Sequence, residues 1–329
     1  MSGTGEFDLI AALAARLERN ADVLGIGDDA AAWAPTPGAL IVATTDMLVE
    51  GVHFRLDWTT PRDLGWKALA VNLSDLAAMG AAPGRALVSV ALRPEQTELV
   101  AELYEGLSEV ARLTGTTVVG GDTVRSSGPL VVNVALLGEA EPNQLLRRDG
   151  ARPGDLVALT GVVGVSAAGL ALLLADDGDP GRLDDPRAAQ LLSAHFRPSP
   201  RLAAGRTLAA LGVRCAIDIS DGVASEVRHI AEASGVAVEL DMDRLPLDAA
   251  AVALFGDSAA REFALSGGED YQLMFTVPEE GCGEIAAALG PADAPQVIGR
   301  VTGVAAGGTV ALLTAGRPAD RMPAGYEAF

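Results

Sequence analysis

The sequence alternates apolar runs of strand length with segments of helical periodicity, and this alternation limits the possible folds more than any other feature. In the first half, strand-like runs at 116–122 and 129–140 follow each other without a helix between them. Strict βαβ alternation would not give that order, so we predict a mixed α+β unit. Further apolar runs lie at 39–46 and 85–92, and helical patterns lie at 63–80 and 94–115.

A stretch rich in Pro, Gly and Arg at 147–155 separates two halves of similar element content. Such composition is typical of a domain boundary. We therefore predict an α/β protein of mixed α+β character, with an N-terminal domain over 1–147 and a C-terminal domain over 148–329. The uncharged stretch 156–175 is long enough to cross a bilayer, but its Thr, Ser and three Gly residues favour a strand, a turn and a buried helix.

Charge and composition argue against several classes of function. The 329-residue chain has a formal net charge of −20, which repels a nucleic-acid backbone, so no nucleic-acid partner is expected. Lys67 is the only lysine, and no G-x-x-x-x-G-K-[ST] motif surrounds it, which excludes a P-loop nucleotide site. No basic and apolar leader opens the sequence, so we expect a cytoplasmic protein without a membrane partner.

Acidic residues recur where apolar runs end, or beside small residues that let a ligand approach the backbone. One lysine cannot neutralise them, so carboxylates that converge would need cations between them. Mg²⁺ fits best, because it is commonly shared between carboxylates and substrate phosphates, and the pattern therefore predicts metal-dependent phosphate chemistry. The positions are Asp28 and Asp29 in GIGDDA, Asp46 in TTD, Asp75 within a helical pattern, Asp122 in GGD, Asp218 and Asp221 in AIDISDG, and Glu269 and Asp270 in GGED.

Each of these positions also has a purely structural interpretation. A single aspartate at a strand end is most often a turn or N-cap residue, and Asp75 fits a buried, hydrogen-bonded carboxylate equally well. The glycines of GIGDDA lack the third glycine of a dinucleotide-binding fingerprint, and we interpret Asp28 as the residue that orients the turn. His195 and His229 are interpreted as structural, because nothing in the sequence converges on them.

The motifs occur in an order that is specific to one family. From Gly5 to Phe329 the chain contains, in this order, GEFDLI, GIGDDA, TTDMLVEGVHF, KALAVNLSDLAAMGAAP, GGDT, RPSPR, AIDISDG, LSGGEDYQLMFT, IGRV and GYEAF. Together they closely resemble the thiamine-monophosphate kinase family. The resemblance implies a two-domain fold of the aminoimidazole-ribonucleotide-synthetase type, in a homodimer whose N-terminal domains form a shared β-barrel. It also implies direct in-line phosphorylation of thiamine phosphate to thiamine diphosphate, with ATP as co-substrate and several Mg²⁺ ions.

The same resemblance implies roles for individual residues. Asp46, Asp75 and Asp122 are expected to hold metal and not to act as bases. The implied magnesium positions are Asp29, Thr44, Thr45, Asp46, Asp75, Asp122, Asp218 and Asp221. The implied ATP contacts are Gly121, Asp122, Ser220, Tyr104 and an arginine matched by Arg148, with Arg147 as the alternative. The implied thiamine-phosphate contacts are His53, Glu269 and Tyr326.

Two other functions remain open from the sequence. One is a different ATP-dependent reaction of the same superfamily, such as that of aminoimidazole-ribonucleotide synthetase. The other is a non-catalytic sensor of magnesium-bound nucleotide, against which the complete carboxylate set argues, because a sensor has no need of every metal ligand. Release of ADP in the presence of thiamine phosphate separates these possibilities.

Overall fold

A computed structural model gives the structure of residues 13–17, 22–175, 185–291 and 293–318. The chain divides into two compact units. The first comprises Met1–Leu76 and Ala82–Pro142, and the second comprises Ala77–Ala81 and Asn143–Phe329. The main boundary between the two units therefore follows Pro142, five residues before the domain boundary predicted after residue 147. The short segment Ala77–Ala81 belongs to the second unit.

The first unit is built on a four-stranded sheet. Its elements are β1 (Leu40–Val49), α1 (Pro61–Ala78), β2 (Ala82–Leu92), α2 (Thr97–Thr114), β3 (Thr117–Arg125) and β4 (Val131–Ala140). The strand order is β1-β4-β2-β3, in which β4 is antiparallel to both of its neighbours and β2 and β3 are parallel. In the part of the chain that the structure describes, β1 and β3 are therefore the two edges of this sheet.

Side-chain alternation gives this sheet one buried and one exposed face. Val88, Val134 and Leu136 are fully buried on the first of these faces. The strand register places four large apolar side chains on the other face, where each is at least 36% exposed. We call this surface the open face, and its four residues are Ile41, Met47, Leu87 and Val124.

Two glycines allow α1 and α2 to pack in direct backbone contact. A Cβ atom at Gly65 would lie 1.8 Å from the carbonyl oxygen of Leu103, and one at Gly106 would lie 1.7 Å from that of Arg62. No larger residue fits at either position without moving a helix. This close crossing fixes α1, and with it Asp75, within the first unit.

The second unit is built on a seven-stranded sheet. Its strands are β5 (Leu156–Leu159), β6 (Cys215–Asp218), β7 (Val236–Asp241), β8 (Leu273–Val277), β9 (Gln296–Val304), β10 (Thr309–Thr314) and β11 (Arg317–Pro318). Its helices are α3 (Val165–Leu174), α4 (Pro186–Phe196), α5 (Leu202–Ala210), α6 (Val223–Ser234), α7 (Ala249–Phe255), α8 (Asp257–Ser266) and α9 (Cys282–Leu289). The strand order is β11-β10-β7-β9-β5-β8-β6, so β6 lies at one edge beside β8.

Apolar side chains cover both faces of this second sheet. Ile217 of β6 packs in a cluster with Val223 and Val227 of α6, whereas Ala216 packs in a different cluster with Phe275 of β8. A strand that is buried on both faces reads as a continuous apolar run and not as an alternating one. This explains why the sequence of β6 and β8 shows no alternation.

The structure confirms several predicted elements and corrects one aspect of the acidic pattern. The helix predicted over 63–80 is α1, and the stretch 156–175 forms β5 and α3; no described helix has both the length and the apolar character needed to cross a membrane. Asp218 ends β6 as predicted. Asp46 and Asp122, however, do not end their strands, because backbone pairing continues beyond both residues.

Candidate functional site

Three of the predicted metal residues meet at the β1 edge of the first unit. Alternation along β1 puts Thr44 and Asp46 on the same side of the strand. The Thr44 hydroxyl donates a hydrogen bond to Oδ2 of Asp75 on α1. Burial, and to a lesser extent the charge of Asp75, raises the pKa of Asp46 from 3.8 to about 6. We call these three residues the β1-edge set.

Thr45 faces the opposite side of β1 from its two neighbours. Its Oγ1 accepts a hydrogen bond of 3.0 Å from the side-chain amide of Asn133, which also donates to the main-chain oxygen of Asp46 at 3.1 Å. The Asn133 amide thus links β4 to β1 next to Asp46 and Asp75. The TTD motif therefore presents side chains on both faces of the sheet.

Asp122 and Gly121 lie on β3, at the other edge of the sheet. Two strands lie between β1 and β3, which gives three inter-strand spacings of about 4.8 Å each. The two edges are therefore roughly 14 Å apart. That distance is far greater than one metal ion can bridge. A Cβ atom at Gly121 would lie 1.8 Å from the carbonyl oxygen of Val88, so contact with β2 already requires glycine there.

The GIGDDA segment forms a turn beside β3. A Cβ atom at Gly25 would lie 3.3 Å from the carbonyl oxygen of Val119. The N–H of Asp29 donates to Oδ1 of Asp28 at 2.9 Å, which confirms that Asp28 orients the turn. Asp29 itself is exposed.

The predicted magnesium residues of the first unit are therefore split between the two edges of its sheet. The β1-edge set lies at one edge, whereas Asp29 and Asp122 are on the β3 side. Across the described ranges, no three His, Cys, Asp or Glu residues come together in a group able to hold a metal ion. The described part of one chain does not assemble the cluster that the sequence suggests.

His53 and Tyr104 have very different surroundings. His53 is exposed, and its Nδ1 accepts a hydrogen bond of 3.1 Å from the N–H of Val49, which ties the ring to the end of β1. Tyr104 is only 5% exposed, and burial raises its pKa to about 12. Its side chain belongs to the core of the first unit, so the predicted nucleotide contact of Tyr104 has no support from its position.

A second acidic set lies at the end of β6 in the second unit. Asp218 is buried, and Glu226 accepts hydrogen bonds from the Ser220 hydroxyl at 3.3 Å and the Asp221 N–H at 3.1 Å. Burial, followed by the charge of Asp218, raises the pKa of Glu226 to about 7. Burial also raises the pKa of Asp221. We call Asp218, Ser220, Asp221 and Glu226 the β6 set.

The two adjacent arginines have different neighbours. Arg147 binds Asp149 through Nε at 2.8 Å and Nη2 at 2.6 Å. Burial is the main cause of the raised pKa values of Asp221 and Glu226. The positive charge of Arg148 acts in the opposite direction and lowers both pKa values, which requires Arg148 to lie close to both carboxylates. Of the two arginines, Arg148 is therefore the one that lies near the β6 set.

The SGGED loop is pressed directly against the loop that carries the β6 set. The N–H of Glu269 donates to the carbonyl oxygen of Ser220 at 2.8 Å, and the N–H of Tyr271 donates to that of Ile219 at 2.9 Å. A Cβ atom at Gly268 would lie 2.1 Å from the same Ser220 oxygen. These contacts extend the pairing of β6 with β8 and hold Glu269 beside the β6 set.

Asp270, next to Glu269, has a structural role. Its carboxylate accepts hydrogen bonds from the N–H groups of Gly164, Val165 and Ser166 at 2.5, 2.9 and 3.1 Å. Burial raises its pKa to about 7, against the opposing effect of these three donors. Asp270 thus caps α3 from a distant part of the chain, and it is not the N-cap residue of a helix that follows it.

His195 contacts two groups, so the interpretation that nothing converges on it is wrong. It is 6% exposed, and its Nδ1 lies 2.9 Å from Oγ of Ser166 and 3.4 Å from Oε2 of Glu269. Both contacts involve the same ring nitrogen. A nucleophile–base–carboxylate relay uses opposite ring nitrogens, so this arrangement is not a hydrolase triad.

Two site residues were not found by reasoning from the sequence. Glu226 had a detectable signal, since it is an acidic residue in the first turn of the helix that follows SDG. The sequence around His195 contains no such signal, because its contacts Ser166 and Glu269 come from other elements of the fold. Tyr326 lies outside the described residues.

The two units define the class of protein. Residues 27–140 match the family model "AIR synthase related protein, N-terminal domain", and residues 152–310 match the corresponding C-terminal domain. The mixed α/β fold with two units is thus that of the AIR synthase related proteins.

Within this class the chain belongs to the thiamine-monophosphate kinase family. It is 42% identical over 278 residues to the thiamine-monophosphate kinase of Bacillus subtilis (strain 168), with 84% of each chain covered. The crystal structure of the enzyme of that name from Stenotrophomonas maltophilia K279a has a TM-score of 0.83 and 36% identity, over 96% of this chain and 98% of that one. The structure of AaThiL complexed with AMPPCP and TMP has a TM-score of 0.77 and 32% identity, over 100% and 98% of the two chains.

Proposed function

We propose that the chain transfers the γ-phosphoryl group of ATP to thiamine phosphate and releases thiamine diphosphate and ADP. The observation that carries this proposal is the presence of two sets of partly or fully buried acidic residues, the β1-edge set and the β6 set, in a chain of this family. The AaThiL complex with AMPPCP and TMP supports it, because that protein shares the fold over nearly its whole length.

The residues of the β1-edge set fit a divalent cation. The side-chain atoms that could bind a metal ion in this set are all oxygens, which Mg²⁺ prefers as ligands. Mg²⁺ usually binds one or two carboxylates together with substrate phosphates. Burial, and to a lesser extent the charge of Asp75, raises the pKa of Asp46, and a cation bound there would offset both effects. Mg²⁺ held by these residues would neutralise negative charge on the phosphate oxygens. We propose Thr45, Asp29, Asp122, Asp218 and Asp221 as further magnesium positions.

The proposed reaction is a direct in-line transfer. An oxygen of the acceptor phosphate bonds to the γ-phosphorus, and the bond from that phosphorus to the β–γ bridging oxygen breaks, which leaves ADP. The acceptor oxygen is already anionic near neutral pH, so no side chain has to remove a proton. The barrier comes from repulsion between two anions and from alignment. Asp46 and Asp75 therefore act as metal holders and not as bases.

The second unit offers groups that suit both substrates. N–H groups at the start of a helix favour phosphate oxygens, and Ser220 stands where α6 begins, with Arg148 near by. The thiazolium ring of thiamine is positively charged, so the Glu269 carboxylate has the right charge to bind it. We propose Gly121, Asp122, Ser220 and Arg148 as ATP contacts, and His53, Glu269 and Tyr326 as thiamine-phosphate contacts.

We further propose that two copies form a homodimer through the open face. Met47 is 54% exposed and Ile41 48% exposed on this face, and exposed apolar side chains that share one face are typical of a protein–protein interaction surface. Pairing β1 of one copy with β3 of the other, about a two-fold axis, closes eight strands into a barrel and buries the open face. The same pairing brings the β1 edge of one copy next to the β3 edge of the other, whereas one chain keeps these two edges on opposite sides of its sheet.

The experiment incubates the purified chain with ATP, Mg²⁺ and thiamine phosphate, and measures ADP and thiamine diphosphate in the same sample. We expect the two products in equal amounts. Thiamine without a phosphate is the control acceptor, and Asp75→Asn is the control protein.

The other two functions give different results. ADP without thiamine diphosphate would indicate another ATP-dependent reaction of the superfamily. Nucleotide binding without any ADP would indicate a sensor. Either outcome contradicts the proposed function.

A further inference from the structure

His195 lies where α3, α4 and the SGGED loop meet. A Cβ atom at Gly169 of α3 would lie 2.5 Å from the carbonyl oxygen of Leu191 and 3.1 Å from Cβ of His195, so the two helices are in backbone contact here. The ring also packs edge-on against Phe196, with 5.4 Å between ring centroids. Backbone packing thus fixes the position of the imidazole.

Glu269 is held at both its main chain and its side chain. Its φ of 67° lies in the left-handed region, where a residue with a side chain is held only by its surroundings. Its N–H bonds to Ser220, and its Oε2 lies 3.4 Å from Nδ1 of His195. The side chain remains 27% exposed, so the carboxylate can reach a ligand while it contacts the imidazole.

Ser166 connects this contact to the start of α3. Its N–H donates to Oδ1 of Asp270 at 3.1 Å, and its Oγ lies 2.9 Å from Nδ1 of His195. Nδ1 therefore faces two oxygen atoms, Oγ of Ser166 and Oε2 of Glu269. The imidazole has a defined orientation with respect to both.

We propose that His195 is a positioning residue that orients the Glu269 carboxylate for binding of the thiamine portion of the acceptor. This inference rests on the proposed function, because it takes Glu269 to be a thiamine-phosphate contact. His195 is too buried to touch a substrate itself and acts through Glu269. Loss of the His195 side chain therefore weakens the binding of thiamine phosphate and leaves the binding of ATP unaffected.

The expected effect is selective. Loss of the polar contact between His195 and the Glu269 carboxylate raises KM for thiamine phosphate by about 10-fold, and KM for ATP and kcat change by less than about twofold. An Asn side chain can place a donor near the position of Nδ1. His195→Asn should therefore recover most of the loss seen in His195→Ala.

The experiment compares His195→Ala, His195→Asn and Ser166→Ala in the full-length protein, with KM measured for both substrates. The matched control is Gln190→Ala, which removes another α4 side chain, one that donates to Asp248 at 2.9 Å, away from Glu269. A double-mutant cycle with Glu269→Ala tests the route of action. In the Glu269→Ala background, His195→Ala should have no further effect on KM for thiamine phosphate.

Thermal unfolding identifies any variant that has lost its fold. If His195→Ala does not fold, the smaller changes His195→Asn and Ser166→Ala still test the inference. Equal losses in His195→Asn and His195→Ala would overturn the inference. So would additive effects of the His195 and Glu269 substitutions, or a parallel rise in KM for ATP. A wild-type protein that forms no thiamine diphosphate would contradict the proposed function itself, which is a separate outcome.

Discussion

Gly268→Ala probes the contact that builds the second-unit site. A Cβ atom at this position would lie 2.1 Å from the carbonyl oxygen of Ser220, whereas real Cβ contacts are essentially never below 3.0 Å. The backbone φ of Gly268 is not in the left-handed region, so steric overlap is the only penalty for alanine. The SGGED loop must therefore move by about 1 Å away from the loop of the β6 set.

The size of the effect follows from two terms. Overpacking costs about 1–3 kcal/mol, and the hydrogen bond from the Glu269 N–H to Ser220 contributes about 0.5–1.5 kcal/mol. We expect Gly268→Ala to lower the free energy of unfolding by about 1.5–4.5 kcal/mol. A displacement of about 1 Å at substrate-positioning groups also lowers kcat/KM for thiamine phosphate by about 100-fold.

Urea unfolding monitored by circular dichroism measures the first effect, and a coupled ADP assay measures the second. Gly283→Ala is the matched control, because nothing lies within 4 Å of a Cβ atom at this helical position. It should stabilise the protein by about 0.5–1 kcal/mol. A Gly268→Ala variant with wild-type stability and wild-type kinetics would show that the contact between Gly268 and Ser220 does not position the SGGED loop.

Three further substitutions test other parts of the site. Asp46→Asn should abolish turnover while the unfolding transition stays cooperative; near-wild-type activity would remove Asp46 from the metal holders. Arg148→Ala should raise KM for ATP by about 10-fold and Arg147→Ala by less than about twofold, and the reverse order would show that the wrong arginine was chosen. Met47→Asp places a charge on the open face and should shift sedimentation from dimer to monomer, whereas an unchanged dimer would contradict the proposed interface.

Local pattern was sufficient to predict those elements whose sequence follows a clear period. The helix over 63–80 and the strand at 236–241 are both present, because helical spacing, a Gly stop or a β-branched run act within the segment itself. The Ala-rich α7 and the short α9 were not predicted, since few positions in them show a periodic contrast between apolar and polar residues.

Side-chain convergence was harder to predict than the elements. The sequence identifies Asp46, Asp75 and Asp122 as one type of residue, but only the strand order shows that Asp122 lies at the other edge of the sheet. The partners of His195 come from α3 and from the loop before β8, and no local pattern encodes that meeting. Such contacts depend on how the elements pack.

ATP labelled in its γ-phosphate tests the proposed phosphoryl transfer directly. We expect the label to appear in the terminal phosphate of thiamine diphosphate, at a rate equal to that of ADP formation. We also expect Asp75→Asn to form neither product. Label recovered as inorganic phosphate, with thiamine phosphate unchanged, would contradict the proposed transfer to thiamine phosphate.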